Sequence, residues 1–175
     1  MNKKNLPLSL VRRYGTRDPF QIARMCGVHV RYINTKKQKG FCKIILNNPF
    51  IFLSQNMSEE MQKMTCAHEL GHLFLHRSLL TANSFLLEYE LFDIRNTTEL
   101  EANIFAADLL IDEEELKELL DAGSDMVTIA SSLDINVNLL MIKLIEMQKR
   151  GIVLTIPFTP DRKFLGKISD TAESL

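Results

Sequence analysis

His68-Glu69-Leu70-Gly71-His72 sets two imidazoles four residues apart with a carboxylate beside the first. On an α-helix four residues rise about 6 Å and turn roughly 400°, so both rings leave one face and can meet a single ion. Zinc suits such a pair, because it accepts neutral imidazole and in catalytic sites keeps a position open for water. A zinc ion there would polarise a carbonyl oxygen and bring the pKa of water towards about 7. Glu69 need not ligate, so its carboxylate can take a proton from water and pass it to a leaving amine. The chemistry indicated is metal-assisted hydrolysis of an amide. His76 follows one turn later, so three of the four histidines share this segment. Cys66, Ala67, Leu70, Leu73, Phe74 and Leu75 make it too apolar for a solvated charged face.

A third ligand has to come from elsewhere. The metzincin pattern wants a third histidine ten residues after the first, and Ser78 stands there. His76 is two turns from His68, too far along a straight helix to share its ion, and reads as a packing or supporting residue. The segment Thr98-Glu99-Leu100-Glu101-Ala102-Asn103-Ile104-Phe105-Ala106-Ala107 offers two carboxylates about 200° apart on a helix, so they cannot do the same job. Glu99 shares a face with Ala102, Asn103 and Ala106, whose small size lets another helix approach. Asn103 on that face can hydrogen-bond a ligand histidine and fix its tautomer. Glu101 stands three residues after Thr98, the spacing of a capping box. Helical geometry therefore favours Glu99 as the third ligand and leaves Glu101 structural or solvated. The set His68, His72 and Glu99 is the His₂Glu type.

Elements that would carry these groups are legible. One or two short helices are expected over 9–27, with Asp18 capping Pro19 and a strand at 28–33. Runs at 41–46 and 50–53 flank Asn47-Asn48-Pro49 as a hairpin, completing a small sheet at about 28–54. Either hairpin strand, if at an edge, could hold an extended substrate through its backbone. Ser58 with Glu59-Glu60 starts the metal-site helix, about 58–76, and a second follows at about 98–110. A connection with a helical turn near 85–92 joins them. Further helices are expected at 112–121, 126–133 and 137–149. The fold class is α+β, a small N-terminal sheet followed by a mainly helical part, in one domain over 1–156 with an extended tail at 157–175. Tyr89, His76 and His29 are unranked donors for a developing oxyanion.

Composition agrees with a globular chain: 175 residues, 46% hydrophobic and 25% charged. No apolar run reaches a membrane span, and residues 6–11 are too short for a signal-peptide core. Cys26, Cys42 and Cys66 form no CxxC, which reads as free thiols in the cytoplasm. Cys66 falls on the far side of its helix from His68 and reads as a small buried residue. Gly71 costs the helix about 1 kcal/mol of propensity, to admit either substrate or another helix. The net charge of −1 conceals +10 in residues 1–50 and −7 in residues 101–150. The basic third would face the acidic half of the same chain, or an acidic partner. Residues 126–149 have the outline of a helix-turn-helix. Its second helix carries only Lys143 before Lys149, so packing or a protein partner is expected there rather than DNA.

His68-Glu69-Leu70-Gly71-His72 with its trailing His76, and Glu99-x-Glu101-Ala102-Asn103-x-Phe105-Ala106-Ala107-x-Leu109-Leu110, together resemble the ImmA/IrrE family of zinc metallopeptidases. The likeness is strongest over 58–112. Where the family continues with Met-Pro, this chain has Ile111-Asp112. The resemblance implies a gluzincin-like zincin site with one Zn²⁺ held by His68, His72 and Glu99, and Glu69 as base. It also implies a setting in phages, mobile elements and their bacterial hosts. Several members are antirepressors that cleave an Xre-type helix-turn-helix repressor, and others regulate stress responses. The expectation is a cytoplasmic zinc endopeptidase of narrow specificity, cleaving such a repressor, with no membrane partner and no direct nucleic-acid binding. The alternatives are a regulatory binding protein that keeps the metal site without proteolysis and, behind it, a DNA-binding regulator.

Overall fold

A computed structural model describes residues 5–82 and 97–154. The chain begins with α1 (Leu6–Tyr14) and α2 (Pro19–Met25), followed by strands β1 (His29–Ile33), β2 (Gly40–Ile45) and β3 (Asn48–Ser54). Next come α3 (Glu59–Leu75), α4 (Arg77–Ala82), α5 (Thr97–Leu110), α6 (Glu113–Asp121), α7 (Met126–Ser132) and α8 (Val137–Lys149). A small mixed sheet thus precedes a mainly helical part, the α+β class expected. The tail at 157–175, the turn near 85–92 and Tyr89 lie outside the described residues.

The sheet order is β1-β3-β2, with β1 parallel and β2 antiparallel to β3. β3 is therefore central, so 50–53 is not an edge available to substrate, whereas β2 is an edge among the described residues. The hairpin turn also shifts. Leu46 and Asn47 take φ values of 50° and 64°, the left-handed pair of a two-residue hairpin turn. Asn48 and Pro49 consequently enter β3 instead of forming the turn. Ile51 and Leu53 are fully buried, and Phe52 stacks on Phe41 on the alternate face.

Local chemistry sets most helix starts. Asp18 accepts from the Phe20 N–H, Ser58 from Met61, Asp112 from Glu114 and Glu115, and Asn136 from Leu139. The first helix starts at Leu6, earlier than expected, because Pro7 sits in its first turn, where a missing N–H costs nothing. α3 runs through the core and buries Cys66, Ala67, Leu70 and Leu73. α5 lies directly on α3, and α8 packs behind α5, burying Leu140, Leu144 and Met147. Residues 126–149 do form two helices bent by 102°, but the second is spent on the core. Among the described residues no single helix is long and apolar enough to cross a membrane.

Two ionic ties hold α5 in place. Arg17, between α1 and α2, donates to the Asp108 and Leu109 carbonyls and to Asp112 at 2.7 Å. It is one N-terminal cation that faces the acidic half of its own chain. Lys143 on α8 is wholly buried and bridges Asp108 at 2.6 Å and Glu113 at 2.8 Å, joining α5, α6 and α8.

Candidate metal centre

α3 presents His68 and His72 from one face, one turn apart. Their Nε2 atoms lie 3.0 Å from each other. Glu99, in the first turn of α5, places Oε2 3.2 Å from His68 Nε2 and Oε1 3.1 Å from His72 Nε2. One donor atom from each residue falls within a common 4.8 Å. Tetrahedral bonds of about 2.0–2.1 Å would hold such donors roughly 3.3 Å apart. Glu99 Oε1 is buried and has no hydrogen bond among the described residues, despite its closeness to His72. An orphaned carboxylate oxygen beside two converging ring nitrogens is what a cation would complete. The donor set therefore fits a resident metal ion.

Both outer ring nitrogens are engaged. His68 Nδ1 lies 2.9 Å from Asn103 Oδ1, one turn along α5 from Glu99, as the helical spacing predicts. An amide oxygen only accepts, so His68 carries its hydrogen on Nδ1 and turns a lone pair inward on Nε2. His72 Nδ1 lies 3.2 Å from His76 Nδ1, and His76 Nε2 lies 2.8 Å from Glu101 Oε2. His76 is thus a buried supporting residue and not an oxyanion donor. α5 begins at Thr97, so Thr98 lies within its first turn. Glu101 accepts from His76, a pairing the sequence spacing did not show. His29 is exposed on β1 and stacks against Phe50, away from the cleft.

Gly71 is explained by α5. A Cβ at position 71 would stand 3.0 Å from the Ala102 Cα and 3.1 Å from its carbonyl oxygen. Of its two possible uses, close helix approach is the one found. Gly40 does the same for the sheet, since a Cβ there would come within 2.9 Å of the Phe52 carbonyl.

Charge shapes the donor set. Burial opposes ionisation of Glu99, yet the His68 and His72 rings facing its two oxygens outweigh it and hold the carboxyl at about 2. Burial likewise opposes the charged form of His68, but the Glu99 hydrogen bond and the Glu69 charge raise its pKa above the usual value. Glu69 is buried on the same helix and borders the cleft. Cys42 on β2 is near enough to feel its charge. Desolvation first, and then Glu69, push that thiol well above its usual range, so it stays neutral. Cys42 carried no signal in the sequence, because its proximity depends on sheet order. Cys66 is fully buried, and burial raises its thiol strongly. A cleft of about 530 Å³ opens over His68 and Glu69, walled by Lys37 and Lys39 on one side and Asn138, Leu139 and Ile142 on the other.

An HExxH helix whose first histidine is held by an asparagine, a glutamate converging from the next packed helix and a flanking small sheet are the features of a metallopeptidase domain. The chain belongs to the peptidase M78 family of metallopeptidases, whose IrrE N-terminal-like domain matches residues 23–143. The resemblance read from the two motifs is thereby shown. The chain is 33% identical over 103 residues to "Uncharacterized immunity region protein 2" of Bacillus phage phi105, covering 58% of this chain and 63% of that protein. It is 28% identical over 118 residues to "Metallopeptidase ImmA" of Bacillus subtilis (strain 168), covering 64% of each. The chain thus spans just under two thirds of the length of either relative.

Proposed function

We propose that this chain is a cytoplasmic, zinc-dependent endopeptidase of narrow specificity that cleaves a helix-turn-helix repressor. The observation that carries the reading is the convergence of His68, His72 and Glu99, with His68 and Glu69 bordering an open cleft. His68, His72 and Glu99 would hold a zinc ion, which when bound would supply Lewis-acid polarisation of the substrate carbonyl and acidified water. Glu69 takes the proton of the attacking water on its carboxylate and delivers it to the nitrogen of the departing amine. Asn103 keeps His68 oriented throughout. β2 pairs only β3 among the described residues, and its Gly40 end lines the cleft, so an extended segment of substrate can lie along it. That geometry needs a locally unfolded stretch such as an interdomain linker. The name of one relative, a metallopeptidase, supports peptide hydrolysis, and a repressor as target is what the resemblance of the two motifs implies.

The test is co-expression with a helix-turn-helix repressor encoded beside the gene, with repressor mass followed by mass spectrometry. Wild type is expected to yield one discrete pair of fragments, and Glu69→Gln none. An intact repressor whose promoter opens with both forms would replace proteolysis with regulatory binding.

A further inference from the structure

We propose that Glu101 is a positioning residue for the metal centre, acting through His76 to hold His72 in its ligating tautomer; this rests on reading His68, His72 and Glu99 as ligands. The three groups form a line leading away from the site. Glu101 Oε2 lies 2.8 Å from His76 Nε2, and His76 Nδ1 lies 3.2 Å from His72 Nδ1. His72 Nε2 ends the line, 3.0 Å from His68 Nε2 and 3.1 Å from Glu99 Oε1.

Each neutral imidazole carries one ring hydrogen, and a carboxylate can only accept. Glu101 therefore draws the His76 hydrogen to Nε2. His76 Nδ1 is left with a lone pair facing His72 Nδ1. Two lone pairs facing each other at 3.2 Å would repel, so His72 Nδ1 donates. His72 Nε2 then bears a lone pair, aimed at the two other donors. The contact between the histidines alone has no direction, because either ring could donate. Glu101 supplies the direction. The two ligand histidines are thus set by different devices: an amide oxygen for His68, and a carboxylate relayed through a second imidazole for His72.

Exposure supports division of labour along the line. The side chains of His72 and His76 are 4% and 7% exposed, so no water can take over their contact, while that of Glu101 is 51% exposed. Glu101 opens onto a separate cavity of about 340 Å³ bordered by Leu8, Ile104 and Arg150, with room for other side chains at position 101.

The experiment compares Glu101→Gln, Glu101→Leu and Glu101→Lys for zinc affinity by competition with a chromogenic chelator. Gln retains an acceptor oxygen and is expected to stay within about threefold of wild type. Leu has no acceptor, and Lys can only donate, which reverses the line and puts a hydrogen on His72 Nε2. Both are expected to lose about 10- to 100-fold. Equal losses for all three, a graded loss following charge alone, or full affinity in Lys would each overturn the proposal. Long-range ¹H–¹⁵N spectra of the zinc-loaded wild type decide the matter without any variant. His76 should show a hydrogen on Nε2 and a bare Nδ1, and a hydrogen on His76 Nδ1 would overturn it. If wild type fails to bind zinc at all, the ligand reading itself falls, an outcome separate from a failed relay.

Discussion

Gly71 on α3 meets the backbone of Ala102 on α5 so closely that one added carbon would stand 3.0 Å from the Ala102 Cα. This approach brings Glu99, three residues earlier on α5, to the histidines of α3. Gly71→Ala should gain about 1 kcal/mol of helix propensity and lose about 2 kcal/mol to overpacking. The expected result is a net destabilisation of about 1 kcal/mol in denaturant titration, with weaker zinc binding. A more stable variant with unchanged zinc affinity would show that the helices have slack.

Asn103 holds His68 Nδ1 at 2.9 Å through an oxygen that only accepts. Asn103→Ala should weaken zinc binding about tenfold, and Asn103→Asp, which keeps the acceptor, should not. Chelator competition measures both. Equal weakening in the two variants would assign Asn103 to helix packing instead.

The metal-free site has its own pH signature. The Glu99 carboxyl is depressed to about 2 from 4.5, so its contribution is present above 4.5 and is lost as pH falls through about 2. His68 is raised above 6.5, so its contribution is present below 6.5 and is lost as pH rises through the raised value. The difference in Tm between wild type and Glu99→Gln, both stripped with chelator, should be largest between about pH 4.5 and 6.5 and shrink towards 8.5. Zinc competes with the proton on His68, so zinc affinity should still be rising above pH 6.5. A Tm difference that grows from pH 6.5 to 8.5 would contradict this pairing.

Lys143 is wholly buried between Asp108 and Glu113, and Arg150 reaches Glu113 from outside at 2.6 Å. Lys143→Met removes the cation and leaves Asp108 without that partner, at a cost of about 3 kcal/mol. Chemical denaturation should show the loss. Zinc affinity of the folded protein should hold, because Lys143 contacts no proposed ligand. Unchanged stability would mean that Arg17 and Arg150 suffice to balance the acids.

Local periodicity explains what the sequence made legible. The spacing of His68 and His72, the common face of Glu99 and Asn103, and the caps at Asp18 and Ser58 are set within a few residues of chain. So was the α+β order of elements. Sheet topology was not legible, because pairing β3 between β1 and β2 depends on contacts distant in sequence. That put 50–53 at the centre of the sheet and Cys42 against Glu69. The turn moved to Leu46 and Asn47 because Asn47 takes the left-handed region readily but Leu46 does not advertise it, and the Asn48-Pro49 pair is the plainer turn signal. Glu101 kept its structural role but found its partner in His76, which joins two helices and left no mark in the spacing from Thr98.

The most direct measurement is zinc content per chain after gel filtration in the presence of a competing chelator. It should be made on wild type, Glu69→Gln, His72→Ala and Glu99→Ala. The account predicts one zinc per chain in wild type and in Glu69→Gln, and loss of the ion from the other two. Zinc lost from Glu69→Gln but kept in Glu99→Ala would exchange the roles of the two glutamates and contradict it.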